Sequence, residues 1–284
     1  MLSTLSVPRL LSVLLLYIRF AEYKELYHKN SMRVPFLIFF AHSPFICDKV
    51  LIMNDIQFKI LNAGEVKLLE YIGDDLSIVN AAKVSFSSYE HSMSDKASGL
   101  INYLIKNKHA TPFEHVVFKF YIKCPIFIAR EWFRHRWSSF NEMSMRYHVP
   151  SQIDFFYPEK QTIRKQVGKP GAYFFEPFTD QTYISDEVEY QFGLVYTVAE
   201  KAYRTLLEKG VAKELARSVL PVGQYTEFIW TVNARSLMNF LCLRNDEHAQ
   251  YEIAEYAKCI EENIFKQILP VTHSSWVDNG RESI

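Results

Sequence analysis

Glycine is scarce in this chain: nine residues in 284, against the roughly 7% of ordinary proteins. They stand at 64, 73, 99, 168, 171, 193, 210, 223 and 280, and no two are separated by a single residue. Neither G-x-G-x-x-G nor the P-loop G-x-x-x-x-G-K-[ST] can be built from them, so two standard phosphate-binding devices are missing. Cysteine is as sparse. Cys47, Cys124, Cys242 and Cys259 form no C-x-x-C pair, which argues against a zinc ribbon or dithiol redox motif and suits a reducing, cytoplasmic setting. H-E-x-x-H is absent too, and no metal is expected. The apolar runs at 10–18 and 34–40 fall well short of the 18 to 20 residues of a membrane span, so no membrane partner is expected. There is no excess of either charge, with 32 basic against 32 acidic residues. A general affinity for nucleic acid polymers or acidic lipid is therefore not expected, and any anion site must be a local cluster.

What is present is an ordinary soluble composition, 49% hydrophobic and 23% charged, enough for a large core in one or two domains. Aromatics reach 15% and first of all fill such a core. Residues 1–53 differ in character from the rest. A weakly basic start, two short apolar runs and no small-x-small cleavage site make them an N-terminal extension, either a non-native start or a signal-like segment, with Met53 just before the change. The catalytic unit is expected at 54–284.

Within it, residues 56–61 read as a strand, and Gly64 and Gly73-Asp74-Asp75 as turns. Residues 77–84 and 100–106 have helical spacing. Residues 117–124 alternate strictly, with Phe118, Phe120, Ile122 and Cys124 on one face of a half-buried strand. Pro125 then suits the first turn of a helix reaching about Trp137. Residues 151–185 lack a period and read as a long loop. Helices are expected at 187–209, closed by Gly210, and at 212–219, 231–243 and 249–267, the last stopped before Pro270. The pattern is a helix-rich α+β chain with strands early and helices late.

Chemistry collects in three places. Arg134-His135-Arg136 opens a stretch that runs through Trp137, Asn141, Glu142 and Ser144 to Arg146. Unpaired buried charge is too costly for this to be core. The guanidiniums call for an anion that they can grip in a bidentate way, while Asn141, Glu142 and Ser144 suit sugar hydroxyls or base edges. A solvated basic helix face is the plainer reading, against which stand Trp132, Phe133, Trp137 and Phe140. The second place is 231–244, apolar nearly all round yet carrying Asn233, Arg235, Asn239 and Arg244. Buried polar groups must be satisfied, by a structural network or by a bound polar ligand, and the helix alone leaves both open. The third is His109-Ala-Thr-Pro-Phe-Glu-His115, whose two histidines fit no metal spacing.

Arg134-His135-Arg136, seven residues and then Ser144 match the R-H-R-x7-S signature of the flavin-dependent thymidylate synthases. The histidine motif before it and Thr231 to Leu241, Arg244 and His248-Ala-Gln after it also match, in order, so the chain from 54 to about 265 resembles that family. The resemblance implies a family-specific α+β fold, helix-rich with a central, mainly antiparallel sheet. It also implies a homotetramer with shared active sites that converts dUMP to dTMP, with methylenetetrahydrofolate as carbon donor and NADPH reducing a bound FAD, and with no enzyme nucleophile. Carried over by resemblance, flavin contacts fall on Ser85, His109, Thr111, Arg134, His135, Arg136, Glu142, Asn233, Arg235, Asn239 and His248. The nucleotide contacts fall on Glu131, Arg134, Glu142, Ser144, Met145, Arg146, Arg217 and Arg244.

Arg244 is expected to activate the uracil, and Arg146 and Arg217 to hold the phosphate. Glu131 departs from the glutamine of many relatives and is expected to face the base or pair with an arginine such as Arg130 or Arg134. Two other readings stand beside this one. Cys124-Pro125 superficially suggests a thymidylate synthase with a cysteine nucleophile, but no Gln follows and the thiol lies on the apolar strand face. The arginine cluster alone would also serve a non-catalytic nucleotide-binding module.

Overall fold

The structure, a computed structural model, describes residues 56–170 and 172–284. The expectations for residues 1–53, including Cys47 and Met53, lie outside the described residues. The strands are β1 (Gln57–Ile60), β2 (Gly64–Ile72), β3 (Val117–Pro125), β4 (Ser138–Glu142), β5 (Lys165–Lys169), β6 (Ala172–Glu176) and β7 (Tyr225–Asn233). Five of them form one sheet in the order β1-β2-β3-β7-β4, every pairing antiparallel, and β5 and β6 form a separate hairpin. The expected α+β class with a mainly antiparallel central sheet is what the chain adopts.

The strict alternation of β3 does its expected work. Phe118, Phe120, Ile122 and Cys124 are fully buried, and Phe228, Trp230 and Val232 of β7 continue the same buried face. Phe120 lies opposite Trp230 in the register, their rings stacked with centroids 5.3 Å apart. Such cross-strand aromatic pairs add to area burial and help to pin register. Several strands depart from expectation, β4, β5 and β6 among them. β2 was not foreseen, and residues 231–233 finish β7 instead of starting a helix, so the chain is not simply strands first and helices last. In β7, Phe228, Trp230 and Val232 recur at a spacing of two, and only at Asn233 does the period change.

Among the described residues the α-helices are α1 (Asp75–Lys83), α2 (Asp95–Lys106), α3 (Ile126–Trp132), α4 (Gln181–Glu208), α5 (Lys213–Ala216), α6 (Ala234–Arg244), α7 (Tyr251–Ile260) and α8 (Pro270–Asp278). α7 runs on through a π-helical turn at Glu261–Phe265 and a last turn at Lys266–Ile268. Caps set the starts. Asp74 makes a reciprocal capping box with Ser77, and the side chains of Ser94, Asp180 and Asn233 accept from backbone N–H groups two or three residues into their helices. The buried Asp75 carboxylate accepts from the N–H groups of Val271 and Thr272 at 2.9 and 3.0 Å and so caps α8 from the far end of the sequence. Gly210, at φ +79°, ends the long α4 as expected.

Helix α3 stops at Trp132, well before Trp137. Trp132 is fully buried against Trp230, Phe240 and Tyr256, and Phe133 packs edge-on against Phe140 and Phe228. These rings hold the chain to the sheet, so after Phe133 it turns back and enters β4. The 151–185 segment likewise is not all loop: it holds the β5–β6 hairpin and the first turn of α4.

Candidate active site

The strands β7 and β4 and the helix α6 place the arginine-rich segment. β4 pairs with β7 from Ser138 opposite Val232 to Glu142 opposite Phe228. The loop Arg134 to Trp137 therefore sits where β7 gives way to α6. Asn233, the cap of α6, commits its side-chain oxygen to the Ser236 N–H at 2.9 Å. Arg235, in the first turn, lays its guanidinium over the Trp137 ring at 5.2 Å and donates to Glu114 Oε1 at 2.6 Å. That ion pair ties the His109 to His115 segment to the same corner, and His109 and Thr111 are exposed beside it.

At the other end of α6, about 14 Å along the helix, Arg244 reaches back to the same loop. Its Nε donates to His135 Nε2 at 3.0 Å, its Nη1 to Glu131 Oε2 at 3.1 Å and its Nη2 to the Glu131 carbonyl at 3.3 Å. A guanidinium has five N–H groups, so one remains on each terminal nitrogen for a ligand. Glu131 pairs with an arginine as expected, but with Arg244 in place of Arg130 or Arg134, because α3 directs position 131 toward the end of α6. Burial pushes the Glu131 carboxyl above its usual range even though Arg244 pulls it down. Desolvation outweighs a single partner here.

The remaining expected nucleotide residues follow β4. Glu142 is exposed and is held by Thr226 Oγ1, which donates to its Oε1 at 2.7 Å. Ser144 caps the next turn, its carbonyl accepting from the N–H groups of Tyr147 and His148, both at 3.1 Å. Arg146 is exposed and stacks on Tyr147 at 5.2 Å. Lys213 Nζ donates to the Tyr147 carbonyl at 3.1 Å, seating the short helix that leads to Arg217 against this turn. Arg134, Arg136, Arg146 and Arg217 all present exposed guanidiniums with no carboxylate partner among the described residues. Exposed arginines left in this state suit an acceptor-rich anion.

Three expected residues stand apart. The Met145 side chain is buried with Ile153, Phe155 and Tyr196, and its sulfur accepts from Gln224. Only its backbone remains for a ligand. His248 is 85% exposed, beside Glu247 in the turn after α6. Ser85 lies in the exposed 3-10 turn Val84–Phe86, which packs on α1. Sequence reasoning missed Glu114 and Thr226, which touch site residues from other elements, and Lys213, which holds the turn that carries Arg146. Glu114 was visible inside the histidine motif, but the other two carry no local signal.

No groups of His, Cys, Asp or Glu that could hold a metal occur among the described residues. No helix among them is long and apolar enough to cross a membrane. The Cys124 thiol is fully buried and pushed well above its ordinary range, by burial and then by the Glu142 charge, and burial lifts Cys259 to about 11.

The family model for thymidylate synthase complementing protein matches residues 67–271. A flavin-dependent thymidylate synthase of Thermosipho melanesiensis is 47% identical over 226 residues, covering 78% of this chain and 93% of the relative. One of Thermus thermophilus is 41% identical over 223 residues, covering 78% of each chain. Among solved structures, a UMP/dUMP methylase, PolB of Streptomyces cacaoi, bound with 5-Br dUMP, superposes with a TM-score of 0.72 at 35% identity, covering 80% of this chain and all of that one. With the matched span running from β2 into α8 and the signature residues gathered around α6, the chain is a member of the flavin-dependent thymidylate synthase family.

Proposed function

We propose that this protein methylates dUMP to dTMP, taking the carbon from methylenetetrahydrofolate and reducing equivalents from NADPH through a bound FAD. The observation that carries the reading is Arg244, fixed by His135 and Glu131 with two N–H groups still to donate. A guanidinium beside the pyrimidine favours the N3-ionised base and stabilises negative charge as C5 becomes nucleophilic. It thereby serves the reaction without a covalent enzyme adduct. The raised thiols of Cys124 and Cys259 support this, since the thiolate is the nucleophile and neither thiol is poised to ionise.

The donor set fits the flavin dinucleotide. Arg134 and Arg136 offer exposed guanidiniums without carboxylate partners among the described residues, and Asn233, Arg235 and Asn239 line the neighbouring helix. These groups, with His109, Thr111, His135, Glu142 and His248, would hold it without a glycine-rich turn. When bound, FAD supplies the redox chemistry and mediates transfer of the one-carbon unit. Ser144, the Met145 backbone, Arg146 and Arg217 would hold the nucleotide, with Arg146 and Arg217 on its phosphate.

A homotetramer with shared sites is part of the proposal. Ser85 lies among Val84 and Phe86, which are 75% and 81% exposed, and a second copy brought against this turn would cover them and deliver Ser85 to a neighbouring site.

The test is purification followed by visible spectroscopy and assay. A yellow tetramer that forms dTMP only with dUMP, methylenetetrahydrofolate and NADPH is the expected result. A colourless protein that cannot take up FAD would overturn it, and dUMP binding without turnover would favour the non-catalytic nucleotide module.

A further inference from the structure

The segment after α8 lies beyond the span that the family model matches, residues 67–271, yet it is firmly held. Gly280 and Arg281 both take positive φ, 82° and 56°, and turn the chain back over the fold. Arg281 pairs with the fully buried Glu261 and stacks on Trp276 at 5.1 Å, and the Trp276 Nε1–H donates to the Glu282 carbonyl at 2.8 Å. What the tail does from there is more specific than packing. Glu282 pairs with Lys108, next to His109, at 2.9 Å. Ser283 Oγ donates to Asn239 Oδ1 at 2.8 Å, and the main-chain oxygen of Ile284 accepts from Arg235 Nε at 3.2 Å. Three contacts thus fall on, or next to, three residues read above as flavin contacts.

Each contact also has a chemical sense. With its oxygen occupied by Ser283, the Asn239 amide has its NH2 donors left to offer. With Nε on Ile284 and Nη1 on Glu114, and its face on Trp137, the Arg235 fork is fixed and Nη2 is left to donate. Both residues are set as donors toward an acceptor-rich ligand, and holding them beforehand removes side-chain entropy that binding would otherwise cost.

We propose that residues 282–284 form a positioning strap, in which Ser283 and Ile284 preorganise Asn239 and Arg235 for the flavin. This rests on the reading of Arg235 and Asn239 as flavin contacts. The experiment is FAD titration of the flavin-free full-length protein, followed by flavin fluorescence. Ser283→Ala should weaken FAD about fivefold, the loss of one orienting hydrogen bond. A chain ending at Glu282 should weaken it by about tenfold or more, with both contacts gone. Ser283→Thr, which keeps the hydroxyl, should restore binding, and the KM for dUMP at saturating FAD should stay at the parent value. Parent-like FAD affinity in Ser283→Ala overturns the strap, and it decides alone if the shortened chain does not fold. Arg235→Ala and Asn239→Ala separate the two ideas. If they lose FAD while Ser283→Ala does not, only the strap fails. If they too bind FAD normally, the flavin-site reading fails.

Discussion

Arg244 and His135 meet side chain to side chain, guanidinium Nε donating to imidazole Nε2 at 3.0 Å. Arginine has no acceptor, so His135 must be the neutral tautomer with its proton on Nδ1. Its pKa is pushed down to about 4, by burial first and by the Arg244 charge second. The folded protein therefore holds His135 unprotonated across a range in which the unfolded chain protonates it, between about 6.5 and 4.

A stability prediction follows, with its sign fixed by linkage. Between those two values the unfolded state binds more protons than the folded one, so stability rises with pH and is lost as pH falls from about 6.5 toward 4. Thermal melts of the parent and of His135→Asn across about pH 4 to 7 should show a shallower acid decline in the variant. Glu131, whose raised pKa gives the opposite slope, is present in both proteins and cancels to first order. Parallel profiles would mean that His135 is not held neutral.

Replacing Arg244 tests the chemistry itself. Arg244→Ala should fold and take up FAD, yet lose dTMP formation by on the order of a hundredfold to a thousandfold, the usual cost of deleting one transition-state electrostatic contact. Arg244→Lys keeps the charge but not the fork that holds both Glu131 and His135, so it should recover little. Near-normal turnover in either variant would contradict the assignment.

Glu131 offers a finer test, because the arginine it pairs with is Arg244 itself. If its role is to hold Arg244, an acceptor is needed at this position more than a charge. Glu131→Gln should stay within about threefold of the parent in kcat, while Glu131→Ala should fall about tenfold through loss of a charge-assisted hydrogen bond. Equal losses in the two variants would show that the charge is what matters.

These relationships explain what could be read in the chain beforehand. The signature from Arg134 to Ser144 and the alternation of β3 are local, and both were legible. That Arg244 pairs with Glu131 depends on where α3 ends, which is decided by Trp132 and Phe133 packing against β7 and α6, contacts of long sequence separation. β2 and β7 were missed for a related reason. In β2 only Val66 and Leu68 are buried hydrophobic side chains, set among charged neighbours, too short an alternation to stand out. β7 runs directly into α6 at Asn233, so a strand pattern and a helix pattern share one apolar stretch. Helix α8 begins at Pro270, which reads as a stop for what precedes it, although it is equally at home as a first helical residue. The cap that completes its start, Asp75, comes from the opposite end of the described chain.

The cysteines should be dispensable. Replacing Cys124 with Ala removes one buried sulfur from beneath the sheet and should cost about 1 kcal/mol of stability through the small cavity left behind. dUMP-dependent dTMP production should remain measurable in a variant lacking all four cysteines, since no thiolate takes part. Loss of activity in folded, flavin-loaded Cys124→Ala would revive the cysteine-nucleophile reading.

The last prediction concerns the start of the catalytic unit, which we place at residue 54. The family match opens at residue 67 within β2, and the sheet's first strand opens at Gln57. Its register with β2 runs from Gln57 opposite Lys67 to Ile60 opposite Gly64, so among the described residues the edge of the sheet is formed by residues after Met53. Every residue carried over as a ligand lies after it as well, from Ser85 to His248. A protein begun at Met53 should fold, assemble as a tetramer, bind FAD and form dTMP at the rate of the full chain. Its solubility should be no worse, because two apolar runs of the sequence, 10–18 and 34–40, are removed. Parallel purification with flavin content, oligomer size and turnover as readouts decides the matter. A short form that is monomeric or free of flavin would make the first fifty-odd residues an integral part of the enzyme, and would move the boundary to the beginning of the chain.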